Sequence, residues 1–367
     1  MSSTNRSPQA GGGPLAGLRI VEFAGIGPGP FAAMLLADLG AEIIRIDRPG
    51  GADPYMRHVL TRSRATVTAD LKDPADLARV LDCLDRADAL IEGFRPGVME
   101  RLGLGPEVVL ARNPRLVYGR MTGWGQDGPL ARSAGHDLTY IAVTGALAAI
   151  GPRAQPVPPL NLLGDFGGGA LYLVMGLLAA LLSARETGEG QVVDCAICDG
   201  TASLMAMTAD FVAQGRLDYE REANLLDGGK PYYRTYRCAD GAFVALAPLE
   251  PHFFAEFRRR VGLEDDPAFD DREGEALHRR LEDLFRTRSR DEWCRLLEGS
   301  DACLAPVLSL SEAPHHPHLA ARGTYREIDG VMQPAPAPRF SRTPAAVRTD
   351  LPRTDLASVA RAWGKAR

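Results

Sequence analysis

At 367 residues, with 45% apolar and 24% charged side chains, the chain has a globular composition and is long enough for two domains or one large domain with a smaller one embedded in it. Its net charge of -5 provides no general basic surface for nucleic acid, so any anion site must be local. No apolar run reaches the roughly 20 residues of a membrane span. Residues 1–13 are polar and Gly/Ser-rich without a signal-peptide core, which predicts a cytoplasmic protein with a disordered tail.

Residues 18–23 (LRIVEF) read as a buried strand, 25–30 (GIGPGP) as a turn, 31–39 as a helix and 42–47 (EIIRID) as a second strand, which together make a βαβ unit. A helix over 74–87, a strand at 89–92 and a strand at 116–121 continue the alternation. The first half is thus predicted to be α/β, a doubly wound, mostly parallel, Rossmann-like sheet. Residues 168–185 are apolar almost all round and predict a buried helix lining a domain core or a subunit interface, with a strand resuming at 190–195. From about residue 231 the texture changes. Segments 235–238 and 242–247 flank the turn 239–241 as an antiparallel hairpin, and amphipathic helices follow at 252–261, 274–286 and 290–298. This gives a large domain over 14–225, completed by 331–367, and a small α+β domain over 226–330. The Pro-rich stretch 333–344 reads as the linker between them.

The six cysteines, at 83, 195, 198, 238, 294 and 303, are spread through core-like segments and read as reduced and structural. Cys195 and Cys198 form a CxxC, but no second CxxC or His pair stands near them, so no metal site is predicted. The Gly25-Ile26-Gly27-Pro28-Gly29-Pro30 turn approaches a dinucleotide fingerprint, yet its third glycine comes one position early and a proline follows. A nicotinamide or flavin role is therefore disfavoured, and a turn that lets a helix approach a strand is the simpler reading. Basic residues stand at successive predicted strand ends or turns: Arg48, Lys72, Arg95 and Arg101. Each alone reads as a solvated surface charge; as a set they suit the ribose phosphate and pyrophosphate of coenzyme A.

The acid/base candidates lie between 133 and 169. His136 and Asp137 follow a glycine, and Asp165 sits in the glycine-rich run 164–169. Two acid/base groups of different type suit an enzyme that takes a proton from one face of a carbon and returns one to the other. Each also has a structural reading, a packed histidine in one case and a helix cap in the other.

The chain resembles the CoA-transferase family III fold, and within it the α-methylacyl-CoA racemase branch. The resemblance runs from residue 14 to about 342 and is carried by RIDRP (45–49), TADLK (68–72), GFRPG (93–97), RMTGWGQDGP (120–129), GHD (135–137), PPLNLLGDFGGG (158–169), NLLDGGKPYY (224–233), LEP (249–251) and PAPRFSR (336–342). It implies that His136 and Asp165 are the acid/base pair and that Glu250, from the small domain, partners the histidine. It implies that Arg48, Ala69, Asp70, Leu71, Lys72, Gly93, Phe94, Arg95, Arg101, Gly135, Asp137, Leu138, Thr139 and Tyr140 line the CoA site. Members are interlocked homodimers with shared active sites, and they use no metal or redox cofactor beyond the CoA of the substrate.

The chemistry expected is epimerisation of a 2-methylacyl-CoA thioester through an enolate. Backbone N–H groups of 164–169 would face the enolate oxygen, and burial would raise Asp165 so that it can donate a proton. The alternative on the same fold is a CoA transferase in which Asp165 attacks the thioester and forms an acyl-aspartyl anhydride. Met205 and Met207 read as core packing or as an acyl-chain surface. Lys230 and Arg234 read as surface charges or as groups favouring a polar acyl tail.

Overall fold

The computed structural model describes residues 12–51, 58–269, 272, 274–349, 351 and 354–364. The expected tail of residues 1–13 lies outside the described residues except for Gly12 and Gly13. The described residues form two compact units, one drawn from within 1–144, 159–205 and 323–367, the other from within 145–158 and 206–322.

The first unit runs β1 (Arg19–Phe23), α1 (Pro28–Asp38), β2 (Glu42–Asp47), β3 (Ala65–Thr68), α2 (Pro74–Leu84), β4 (Ala89–Glu92), α3 (Val98–Arg101), α4 (Pro106–Arg112), β5 (Val117–Thr122) and α5 (Asp137–Ala142). A wide π-helical stretch, Leu162–Ala170, leads without a break into α6 (Leu171–Thr187), followed by β6 (Val192–Ala196) and α7 (Ile197–Leu204). The six strands lie in the order β3-β2-β1-β4-β5-β6, and all are parallel. This is the α/β, doubly wound sheet the alternation predicts. The order reverses between β1 and β4, and such a reversal opens a crevice beyond the strands' carboxyl ends.

The strands bury apolar residues on both faces, as parallel strands covered by helices do: Ile20 and Val21 on β1, Ile43 and Ile44 on β2 and Leu90 and Ile91 on β4 all lie in the core. Charged residues enter the sheet as pairs in register. Glu22 opposes Arg45 at 3.5 Å and also takes Arg64 at 2.5 Å, while Glu92 opposes Arg120 at 3.0 Å. Helix α1 begins at Pro28, three residues before the predicted start. Proline is suited to the first turn, where its missing N–H is not needed, and Gly27 supplies the φ of 66° that brings the chain round.

The helix over 162–187 begins six residues before its predicted start of 168 and, against the expectation that no apolar run reaches a membrane span, is long and apolar enough to cross a membrane by length and composition alone. Leu173, Leu177, Leu181 and Ala184 sink into the sheet's core, but Leu171, Met175 and Leu182 are exposed, so it is not buried all round as expected.

The second unit contains α8 (Ala206–Ala213), β7 (Arg234–Arg237), β8 (Phe243–Leu246), α9 (Pro251–Val261), α10 (Glu275–Phe285), α11 (Arg290–Leu297), β9 (Leu304–Pro306) and α12 (Pro317–Arg322). Its three strands are antiparallel, in the order β7-β8-β9, over a core that includes Tyr236, Phe254, Phe257, Phe285 and Trp293. The chain then returns to the first unit with the antiparallel hairpin β10 (Tyr325–Ile328) and β11 (Val331–Pro334) and with α13 (Leu356–Trp363).

The boundaries differ from the expected 14–225 and 226–330. Residues 145–158 belong with 206–322 because Arg221 donates to the carbonyls of Ala148, Pro152 and Arg153, each at 3.0 Å, and Glu222 accepts the Arg153 N–H at 3.0 Å. Residues 323–330 belong to the first unit because β11 is tied to it: Arg62 donates to Gln333 Oε1 and to the Pro334 carbonyl, both at 2.7 Å. The predicted linker therefore starts inside a strand. Helix α13 packs Leu356, Val359 and Trp363 into the core that includes Val80, Cys83 and Leu84 of α2.

Candidate active site

A cavity of about 480 Å³ lies at the carboxyl ends of β1, β4 and β5, in the first unit alone. That is the point where the strand order reverses. Gly27 and Pro28 reach it from the turn after β1, Phe94 and Arg95 from the turn after β4, and Trp124 from the turn after β5. His136, Asp137 and Tyr140 come from the start of α5, and Asp165 comes from the π-helical stretch.

His136 is the N-cap residue of α5, with extended backbone at φ -139°. The Thr139 hydroxyl accepts the His136 N–H at 3.0 Å and donates to the His136 carbonyl at 2.8 Å, so the backbone under the imidazole is fixed from both sides. Tyr140 packs edge-on against Trp124, with ring centroids 4.8 Å apart, and its hydroxyl donates to the Gly135 carbonyl. A Cβ on Gly135 would lie 2.5 Å from the Tyr140 ring, which explains the glycine before His136.

Asp165 is half-buried, and its carboxyl is pushed up to about 6, first by burial and then by the neighbouring Asp137 carboxylate. A hydrogen bond from the Asn161 side chain and the charge of His136 act the other way. Its Oδ2 would be 2.8 Å from a Cβ on Gly27, so the glycine of the first turn makes room for the acid. Phe166 stacks on Phe31 of α1, ring centroids 4.1 Å apart, and anchors the next position along the chain.

One expectation is corrected here. Residues 164–169 are not a glycine turn ahead of the helix with free N–H groups; they are the helix's own first turns. The Asp165 N–H donates to Asp137 Oδ1 at 2.6 Å and the Phe166 N–H to the Asn161 carbonyl at 3.1 Å. The glycines serve packing: a Cβ on Gly200 of α7 would lie 1.8 Å from the Gly168 carbonyl oxygen, and one on Gly168 would lie 2.4 Å from Thr201 Oγ1.

Of the residues expected to bind CoA, Gly93, Phe94, Arg95, Gly135, Asp137 and Tyr140 line this cavity. Arg48, Ala69, Asp70, Leu71, Lys72, Arg101, Leu138 and Thr139 do not line it. Arg48 and Lys72 are exposed in the segments that follow β2 and β3, and Arg101 is exposed at the end of α3. Ala69 is buried in the core and Leu71 packs against it, while Asp70 turns its own loop by accepting the Lys72 N–H at 3.0 Å. The β4 turn is held from below: buried Glu92 accepts the Phe94 N–H at 2.7 Å, and Arg120 bridges Glu92 at 3.0 Å and Glu100 at 2.5 Å.

Glu250 belongs to the second unit, where it is the exposed N-cap residue of α9. Arg234 is ion-paired with Glu222 at 3.2 Å, so its charge is committed within that unit. Met207 is 53% exposed and is not core packing. Cys195 is buried and its thiol is pushed up to about 12 by burial, as befits a structural cysteine. Gly27 and Trp124 are cavity residues that sequence reasoning did not single out, although both stand inside motifs it used.

The doubly wound sheet gathers an acid, a histidine and an arginine at its switch point. The chain belongs to CoA-transferase family III, whose profile matches residues 15–356. It is 41% identical over 336 residues to the alpha-methylacyl-CoA racemase of Mus musculus, covering 90% of this chain and 87% of that protein. The alpha-methylacyl-CoA racemase of Homo sapiens matches at 41% over 340 residues, with the same 90% and 87% coverage. Among solved structures, a CaiB/BaiF family protein from Brucella suis superposes with a TM-score of 0.77 at 26% identity, covering 96% of this chain and 98% of that one.

Proposed function

We propose that this chain is an α-methylacyl-CoA racemase, interconverting (2R)- and (2S)-2-methylacyl-CoA thioesters by removing the α-proton from one face and returning a proton to the other. The observation that carries this is the convergence of His136 and Asp165, two acid/base groups of different type on separate elements, on one cavity at the switch point. The relatives' names point the same way.

In one direction His136 takes the α-proton, charge moves onto the thioester oxygen as an enolate, and protonated Asp165 delivers a proton to the opposite face. The roles reverse for the other epimer. At pH 7 a carboxyl with a pKa of about 6 is about one-tenth protonated, roughly a hundredfold more than one at the usual 3.8. The enolate oxygen needs a donor, and the first N–H of α5, that of Asp137, is supported for this task. It adjoins His136, Asp137 lines the cavity, and among the described residues no acceptor takes that N–H. The chemistry runs on these side chains and the thioester of the substrate.

Arg95 at the cavity and Arg48, Lys72 and Arg101 beyond it suit the phosphates of coenzyme A, with Ala69 to Lys72 shaping the loop alongside. Glu250 is proposed as the histidine's carboxylate partner within a homodimer with shared sites. The exposed Leu171, Met175 and Leu182 of α6 support a subunit interface. The transferase alternative uses Asp165 as a nucleophile and gives His136 no role. Replacing His136 by Ala separates the two: loss of α-proton exchange by about 100-fold or more supports the racemase, whereas an undiminished rate of acyl transfer supports the alternative.

A further inference from the structure

The proposed cycle leaves the Asp137 side chain unused. Its Oδ1 accepts the Asp165 N–H at 2.6 Å, and the Gly164 N–H donates to the same carboxylate. A Cβ on Gly164 would stand 2.3 Å from that Oδ1, so glycine is what admits the carboxylate to the backbone. The acid of α5 therefore grips the segment that carries the acid of the π-helical stretch, and both line one cavity.

We propose that Asp137 is a positioning residue for Asp165: its carboxylate anchors the backbone at 164–165 and, as a fixed negative neighbour, disfavours the ionised form of the proton-delivering acid. This rests on the racemase reading for its purpose, though not for its physics. Burial raises both carboxyls, while the two backbone donors to Asp137 favour its charged form. Pairs whose environments push them apart divide into acid and base.

The other groups around Asp165 are accounted for. His136, at the start of α5, and the Asn161 side chain both favour its ionised form. Tyr140 senses the Asp165 charge and is opposed by Arg95 from the β4 turn. Helices α1 and α7 bring Gly27, Pro28 and Ile197 to the cavity and add no charge there.

The test is an infrared titration of the Asp165 carboxyl, read as the difference from Asp165→Asn, in the parent and in Asp137→Asn. The amide keeps an oxygen to accept the two N–H groups but removes the charge. The expected result is a midpoint lowered by about one pH unit or more. For the epimer that protonated Asp165 reprotonates, the limb of the kcat/KM profile on which activity is lost as Asp165 ionises should move down with it. Asp137→Ala, which also removes the cap, should lower kcat by up to about 100-fold in addition. An unmoved midpoint in Asp137→Asn, together with weakened CoA binding, overturns the proposal and returns Asp137 to the coenzyme site. Should the amide variant not fold, Asp137→Ser keeps a capping oxygen without charge and gives the same reading. Because the titration needs no substrate, a shifted midpoint in a protein without racemase activity sinks the racemase reading and leaves this one standing.

Discussion

Asp165 sets stability against chemistry. Its carboxyl, raised from 3.8 to about 6, holds a proton more tightly in the folded chain than in the unfolded one. The sign follows directly. Its contribution to stability is fully present below 3.8 and is lost as pH rises through about 6, where the buried group is made to ionise. Asp165→Asn cannot ionise and should melt at a higher temperature than the parent at pH 7.5, with the gain gone near pH 4, while activity is lost. A gain that does not depend on pH contradicts this assignment. The His-Asp dipeptide and the glycine-flanked acid were legible in the sequence as acid/base candidates. The grip of Asp137 on Asp165 was not, because it joins segments 28 positions apart and depends on how closely two helix starts approach.

Elements were legible where burial leaves a long local pattern. Strands β1, β2 and β4 are apolar runs bounded by turns, and the hairpin of β7 and β8 announces itself through Ala239-Asp240-Gly241. Strand β3 has four residues, and the apolar stripe of α13 has meaning only once α2 is beside it. The run 164–169 reads as a turn because glycine is a poor helix former, but tertiary contact overrides that preference. Its glycines are the surface on which α7 packs. Gly200→Ala, whose new Cβ would meet the Gly168 carbonyl, should lower stability by about 1–3 kcal/mol in urea denaturation. Arg120→Met should cost more, about 3–5 kcal/mol, because it leaves buried Glu92 without its in-register partner and frees the turn that bears Arg95. A midpoint within error of the parent for Arg120→Met would mean that Glu92 is held by the Phe94 N–H alone.

At the scale of the molecule, the borders of the two compact units differ from the expected 14–225 and 226–330. Segments 145–158 and 323–330 take their allegiance from side chains far along the chain, Arg221 in one case and Arg62 in the other. Leu171, Met175 and Leu182 of α6 are exposed, and the proposed homodimer would cover them. Met175→Glu combined with Leu182→Glu should convert a dimer to a monomer in sedimentation velocity; a monomeric parent rules out the shared-site arrangement with Glu250. The central claim is proton traffic across the α-carbon of a thioester. Incubating one epimer of a 2-methylacyl-CoA with the enzyme in deuterated water should give α-deuterium incorporation together with loss of optical activity. Acyl transfer to an added carboxylate without α-deuterium would contradict it.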